Sequence, residues 1–154
     1  MRRDTLGAVA GCIFCAIVAG GAPATIVDED AATISFMDIR PWQRGHVLVV
    51  PRRHYANLLE IAPDDLTSAF AAAKRLTARI KDRLGADGVL VLNSCGQAAG
   101  QVVMHFHIHV VPMSGEPLPF PRSQRRTGAA DRVAAAGALR VGGDASCQGS
   151  RLSK

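Results

Sequence analysis

The chain has 154 residues, of which 48% are hydrophobic and 20% are charged. This balance is typical of one soluble globular domain rather than of a disordered or fibrous protein. The net charge of +5 lies mostly in the tail, because residues 1–113 hold 11 Lys and Arg against 10 Asp and Glu, whereas residues 114–154 hold 7 against 3. Scattered tail arginines are weak evidence for nucleic-acid binding, so nucleic acid is not predicted as the main partner.

The N-terminal segment imitates an export signal. Arg2 and Arg3 precede an apolar stretch, but Asp4 stands beside them, and the stretch before Cys12 is shorter than the core of a signal peptide. The sequence also lacks a run of the about 18 apolar residues that a transmembrane helix needs. We therefore predict a cytoplasmic protein with reduced cysteines and no membrane partner.

Hydrophobic periodicity and turn residues predict two helices and five strands. In chain order these are a short helix at 12–20, a hairpin of strands at 24–30 and 32–39, a buried strand at 45–51, a long helix at 63–85, a strand at 88–94, a loop of small residues at 95–101 and a last strand at 102–112. Apolar spacing predicts one buried face of the long helix, formed by Leu66, Phe70, Ala73, Thr77, Ile80 and Leu84. The pattern favours an α+β fold, a mainly antiparallel sheet with helices on one face.

The last predicted strand carries three of the five histidines. Side chains in a strand alternate between its two faces. Apolar side chains are therefore expected to pack on one side, and His105, His107 and His109 to face an open site on the other. Two chemical interpretations follow from the residues alone. All three imidazoles could bind one metal ion, or the middle one could be a nucleophile between positioning groups.

A CxxC pair, Cys12 and Cys15, stands at the start of the first predicted helix. Such a pair is compatible with zinc binding, with thiol redox chemistry or with two buried cysteines. Redox pairs usually follow a strand in a βαβ pattern, which this sequence lacks.

Residues 11–113 resemble the histidine triad (HIT) family. The resemblance is carried in order by "CIFCAI", "FMDIRP", "RGHVLVVPRRHYANLLEI" and "AAGQVVMHFHIHVVP". It implies the HIT fold, a homodimer and nucleotide hydrolase or transferase activity. We expect a HIT domain at 1–113. The basic, Ala/Gly-rich tail at 114–154 lies outside the resemblance and lacks periodicity, so it is predicted to be largely disordered.

The resemblance also implies a mechanism. His107, the middle histidine, would attack the α-phosphorus of a nucleoside phosphoramidate or polyphosphate, and water would then release the nucleotide from a nucleotidyl-histidine. Neutral imidazole suits this role if its attacking nitrogen carries no proton. A backbone carbonyl that accepts the other N–H would fix that tautomer. His109 would donate to phosphate oxygens or to the leaving group.

The loop before the triad is implied to bind phosphate through Gly100 and Gln101, because small residues let the backbone approach closely. The family often has an asparagine pair before the glycine of this loop. This chain departs from that pattern, with Ser94 and Cys95 next to the glycine and Asn93 one place further back. Asn93 or Ser94 is therefore predicted to reach ribose or phosphate.

The nucleoside side of the site is implied as well. Asp38 matches the family's acidic residue that accepts hydrogen bonds from the ribose hydroxyls. The expected substrate is a purine nucleotide of the AMP type. Its base pocket matches the apolar residues Ile13, Phe14, Ile17, Phe36 and Ile39.

Many bacterial HIT proteins bind structural zinc through such a CxxC pair, and the resemblance extends this Zn²⁺ to the present chain. The matching ligands are Cys12, Cys15, His54 and His105. A set of four ligands without an open position is typical of structural zinc. It would leave His107 and His109 for chemistry. His46, at a strand entrance, is interpreted as structural.

The reaction type stays open within the family. A nucleoside phosphoramidase and a dinucleoside polyphosphate hydrolase differ in the leaving group, and the lack of a long basic clamp in the core favours the phosphoramidase. Two other classes remain as alternatives. A nucleotide-binding or interaction module with incidental catalysis is disfavoured by the presence of His107. A zinc protein whose triad only binds metal is disfavoured by the CxxC pair.

Overall fold

The computed structural model describes residues 8–115. Its elements are α1 (Ile13–Val18), β1 (Ile26–Glu29), β2 (Thr33–Met37), β3 (Val47–Pro51), α2 (Pro63–Leu84), β4 (Gly88–Leu92), a short 3₁₀ helix (Gln97–Ala99) and β5 (Ile108–Met113). All seven predicted helices and strands are present. The last strand begins later than predicted, so His105 and His107 precede it and only His109 lies within it. The tail predicted to be disordered lies, from residue 116 onward, outside the described residues.

The five strands form one antiparallel sheet in the order β1-β2-β3-β5-β4. This arrangement confirms the predicted α+β class. β5 lies between β3 and β4, and His109 is opposite Leu48 on one side and Leu92 on the other. The histidine segment therefore enters the centre of the sheet, where its position is fixed from both sides. No helix among residues 8–115 is long and apolar enough to cross a membrane.

The two helices cover opposite faces of the sheet. Val47 and Val49 of β3 belong to a core cluster with α2. Leu48 and Val50, which alternate with them, belong to a second cluster that includes Phe14 of α1. The expectation that the helices share one face is therefore wrong. The alternation within β3 explains the result, because a strand that is buried on both faces needs a cover on each.

The buried face of α2 is built mainly from small residues. Its fully covered positions are Ala69, Ala72, Ala73, Leu76 and Ile80, and alanines let a helix lie close to a sheet. The predicted face is wrong at Phe70 and Leu84, whose exposed fractions are 46% and 51%. The prediction followed the spacing of the large apolar residues, whereas the buried face of α2 follows the alanines next to them. The helix ends as predicted at Gly85, with φ of 63°.

Gly45 holds the turn that leads into β3, and we expect its replacement by alanine to destabilise the protein. Its φ is 89°, and an added Cβ would lie 2.6 Å from Leu84 Cδ1 and 3.0 Å from Pro112 Cγ. The Leu84 side chain can move, but the proline ring has little freedom to do so. Gly45→Ala should lower the free energy of unfolding by about 1–3 kcal/mol, measured by urea denaturation.

Gly20→Ala is the matched control, because Gly20 also has a positive φ, 73°, but an added Cβ would meet no atom within 4 Å. The difference between the two variants isolates the steric contribution. Equal losses of stability would show that the turn at Gly45 accommodates a methyl group.

Candidate active site and metal centre

His107 is held in a single neutral tautomer. Its ring is buried beside Phe14, whose ring lies edge-on with centroids 5.3 Å apart. Its Nδ1–H donates to the backbone carbonyl of His105 at 2.7 Å, so Nε2 keeps its lone pair. The His105 carbonyl is thus an acceptor of the kind that fixes this tautomer. Burial also lowers the pKa of His107, with smaller opposing effects from that carbonyl and from Asp38. The ring is thus a neutral base at ordinary pH.

A hydrogen bond from His46 holds His109 in the other neutral tautomer, with its proton on Nε2. The backbone N–H of Trp42 donates to His46 Nδ1 at 3.2 Å, so neutral His46 carries its proton on Nε2. This proton is donated to His109 Nδ1 at 2.9 Å. Neutral His109 must then carry its own proton on Nε2. Burial, followed by the neighbouring His107 and His46, lowers the pKa of His109 to about 4.

Sequence reasoning missed His46 and Trp42. His46 was interpreted as structural, but its fully buried ring contacts the triad directly. The indole of Trp42 stacks on His109 with centroids 5.1 Å apart and an angle of 14° between the planes. Only the pairing of β3 with β5 brings this loop to the triad. The sequence carries no local signal of that contact.

The predicted phosphate loop is organised by Gln101. Its buried amide donates to the carbonyls of Ala56 and Val103 at 2.6 and 3.0 Å and accepts the N–H of Gly96 at 2.8 Å. These bonds use both amide hydrogens, so a donated bond to phosphate would have to replace one of them. Gly100 is exposed and has a φ of 87°.

Asn93 forms a hydrogen bond with the backbone of the triad. Its Nδ2 donates to the backbone carbonyl of His107 at 2.8 Å, while its buried Oδ1 has no hydrogen-bond partner among residues 8–115. The bond joins the end of β4 to the backbone of the central histidine. Ser94 is half-buried beside it. Of the two alternatives predicted for this position, Asn93 therefore has the contact with the triad.

The residues expected around the nucleoside are only partly gathered. Phe14 and Phe36 pack edge to face, with centroids 5.4 Å apart, and Ile17 packs on the same cluster. Ile13 is half-exposed, and Ile39 is 92% exposed. Phe14, Phe36 and Ile17 form an apolar wall whose Phe14 ring contacts His107, whereas Ile39 is exposed.

Asp38 lies next to the histidine network. One carboxylate oxygen accepts the N–H of Arg40 at 2.7 Å, and the other lies 3.6 Å from His46 Nδ1. Burial lowers the pKa of His46, and the Asp38 carboxylate opposes that shift. Asp38, His46 and His109 also have potential ligand atoms within 4.8 Å of one another. The hydrogen bond between the His46 and His109 rings accounts for the short distance between those two members of the group.

The predicted metal ligands converge on one point. Cys12, Cys15, His54 and His105 each offer a ligand atom, all within 4.8 Å of one another. His105 donates its Nε2–H to the Pro51 carbonyl at 3.0 Å, so its Nδ1 lone pair faces the two sulfurs at 3.5 and 3.6 Å. His54 Nδ1 lies 3.3 Å from Cys15 Sγ.

These separations fit a tetrahedral metal ion. Zinc holds sulfur at about 2.3 Å and nitrogen at about 2.0 Å, which places S and N ligands about 3.5 Å apart. Burial, with the neighbouring His54 and His107, lowers the pKa of His105 to about 4, and this favours the unprotonated ring that a metal requires. The group could therefore hold a metal ion with no open coordination position.

The sheet, the alternating histidines and the adjoining Cys/His group define a histidine triad protein. The match to the model of the HIT domain covers residues 19–116, and the chain belongs to the HIT family.

Individual relatives agree with this assignment. An uncharacterized HIT-like protein of Methanocaldococcus jannaschii is 42% identical over 101 residues, which is 66% of this chain and 78% of that protein. The adenosine 5′-monophosphoramidase of Candida albicans is 39% identical over 111 residues, covering 70% and 73% of the two chains. A zinc-bound histidine triad protein from Mycobacterium smegmatis superposes with a TM-score of 0.69 at 40% identity, over 71% of this chain and 81% of that one.

Proposed function

We propose that this protein is a nucleotide hydrolase or transferase of the nucleoside phosphoramidase type. One observation carries the proposal: two adjacent histidine rings, with centroids 4.9 Å apart, are held in complementary tautomers. His107 presents a lone pair on Nε2 and His109 presents a proton on Nε2. A nucleophile beside a donor suits displacement at phosphorus. The adenosine 5′-monophosphoramidase of Candida albicans supports the same reaction class.

The proposed reaction has two displacements. The His107 lone pair forms an N–P bond to the α-phosphorus as the bond to the leaving amine breaks. The amine gains a proton delivered by solvent. Water then attacks the phosphorus, the N–P bond breaks, and His107 returns to its neutral form as the nucleoside monophosphate and one proton depart. His109 keeps its proton and donates a hydrogen bond from Nε2–H to a phosphoryl oxygen or to the leaving atom, where negative charge develops.

The other predicted residues keep supporting roles in this proposal. The Asp38 carboxylate accepts hydrogen bonds from the ribose, and the Phe14, Ile17 and Phe36 wall covers a purine base, with Ile13 and Ile39 at its margin. The backbone near Gly100 meets the phosphate. Gln101 shapes the loop, and Asn93 with Ser94 holds its base.

We propose zinc for the metal group and a structural role for it. When bound, the ion would supply a crosslink between α1, the segment after β3 and the triad, through Cys12, Cys15, His54 and His105. The zinc-bound relative from Mycobacterium smegmatis supports this choice of metal.

A homodimer and a cytoplasmic location complete the proposal. β4 lies at the edge of the sheet with Val91 partly exposed, and an unpaired edge strand invites a partner strand. The reduced cysteines of the proposed metal group suit the cytoplasm.

The test of the proposed function is a comparison of substrates. We expect the purified full-length protein to release AMP from adenosine 5′-phosphoramidate, measured by chromatography. We then compare kcat/KM for adenosine 5′-phosphoramidate with kcat/KM for diadenosine tetraphosphate. A higher value for the phosphoramidate identifies a phosphoramidase, and a higher value for the tetraphosphate identifies a polyphosphate hydrolase. Tight AMP binding without turnover of either compound would instead identify a nucleotide-binding module.

A further inference from the structure

The loop between β2 and β3, residues 38–46, is a preformed rim beside His109. Asp38 N–H donates to the His46 carbonyl at 3.0 Å, and His46 N–H donates to the Gln43 carbonyl at 3.1 Å. Asp38 also accepts the Arg40 N–H, and His46 accepts the Trp42 N–H. Both ends of the loop are therefore fixed before any ligand arrives.

Trp42 is held on this loop with half of its surface open. Its indole contacts the rings of His109 and His46, with centroids 5.1 and 5.2 Å away, and yet its exposed fraction is 47%. Tryptophan contributes most to binding when its large flat surface is covered. The indole is wider than the imidazole on which it stacks. A group that accepts the His109 proton would therefore lie within reach of the indole.

Two exposed arginines flank Trp42 on the same loop. Within residues 8–115, no carboxylate lies within ion-pair distance of Arg40 or Arg44. Four of the other five arginines in this part of the chain lie between 2.7 and 3.8 Å from a carboxylate: Arg52, Arg53, Arg75 and Arg79. The fifth, Arg83, also has no ion pair there, but it lies on α2. The rim therefore combines an open aromatic surface with two arginine side chains that form no ion pair within residues 8–115. The Asp38 carboxylate at the start of the loop accepts the backbone N–H of Arg40 instead.

We infer that this rim is a leaving-group subsite for planar aromatic groups that carry negative charge. The inference rests on the proposed function, because a leaving group exists only if His107 performs the displacement. Trp42 stacks on the aromatic ring, while Arg40 and Arg44 attract the anion. Trp42 is thus a specificity-determining residue. An aromatic amino acid and a second nucleotide share this chemistry.

The test separates the aromatic and the anionic contributions. Four phosphoramidates join AMP to methylamine, glycine, phenethylamine or phenylalanine, so that the amine carries neither feature, only the anion, only the ring, or both. Diadenosine tetraphosphate serves as the second-nucleotide probe. The measurement is kcat/KM for each probe with the wild type, Trp42→Leu, Arg40→Ala/Arg44→Ala and Arg83→Ala. The last variant removes an exposed charge from the final turn of α2 instead.

We expect the phenylalanine adduct to be the best phosphoramidate for the wild type. Trp42→Leu should reduce the preference for phenethylamine over methylamine about tenfold. The double arginine variant should reduce the preference for glycine over methylamine several-fold, and Arg83→Ala should change neither preference. Ratios are compared because a general disturbance of His109 lowers all rates together.

Preferences that are the same in the wild type and all variants would overturn the subsite and leave the proposed function intact. Absence of turnover for every probe would overturn the proposed function itself. If diadenosine tetraphosphate is the fastest probe and loses most in the Trp42 and arginine variants, the subsite stands and its occupant is a second nucleotide.

Discussion

Replacing His107 with alanine should abolish turnover, lowering kcat by roughly 10³- to 10⁶-fold. The expected loss is large because no other group offers an unprotonated nitrogen in the same place. His109 cannot substitute, since its Nδ1 accepts a hydrogen bond from His46 and its Nε2 carries the proton. Single-turnover and steady-state kinetics with adenosine 5′-phosphoramidate measure the effect.

His107 is buried, so the variant needs a structural control. His107→Asn keeps a side-chain N–H that can donate to the His105 carbonyl but has no nucleophilic nitrogen. We expect it to be as inactive as the alanine variant with a melting temperature nearer the wild type. His109→Gln should lose less, about 10²-fold, because its amide N–H can still donate. Substantial turnover by His107→Asn would contradict covalent catalysis by this ring.

Removing the metal should destabilise the whole domain. The proposed crosslink would join α1, which is six residues long and has no side-chain cap, to the segment that contains the triad. Without an ion, the buried Cys15 and His105 would lack the partner that the proposal gives them. We expect one zinc per chain in the purified protein. Cys12→Ser should lose that zinc and at least about 3 kcal/mol of stability, which corresponds to a fall in melting temperature of more than about 10 °C.

Cys95→Ser is the matched control, because Cys95 is a free, half-buried cysteine that is not among the four converging ligands. It should retain both zinc and stability. Activity should fall with the metal, since the His105 carbonyl orients His107. A protein that is isolated without metal, and whose melting temperature is unchanged by added zinc or by a chelator, would contradict the metal site.

Local sequence patterns predicted the parts of the fold that depend on local forces. The strand alternation around the triad correctly placed Phe106, Ile108 and Val110 on one side, which packs against α2, even though regular pairing begins only at Ile108. Two errors arose where packing decides. The prediction for the buried face of α2 relied on large apolar residues such as Phe70, whereas the residues that pack on the sheet are mainly alanines. The position of α1 depends on which face of β3 is not covered by α2, and the sequence of α1 alone does not specify that face.

The candidate site shows the same division. The four candidate metal ligands were carried over from the resemblance to the HIT family, and the structure brings their ligand atoms within 4.8 Å of one another. His46 and Trp42 were missed because the pairing of β3 with β5 brings their loop to His109, which lies 63 residues after His46 in the sequence. Gln101 was assigned to phosphate from its position, whereas the structure engages its amide with three backbone groups. A single sequence does not specify which groups will form hydrogen bonds with a side-chain amide.

The stereochemical course at phosphorus tests the central claim most directly. An adenosine phosphoramidate made chiral by sulfur substitution at the α-phosphorus, in one configuration, is hydrolysed in ¹⁸O-enriched water by the full-length protein. Each displacement inverts the phosphorus, so attack by His107 followed by attack by water predicts net retention. Net inversion would mean that water attacks the substrate directly, and His107 would then not be a covalent nucleophile.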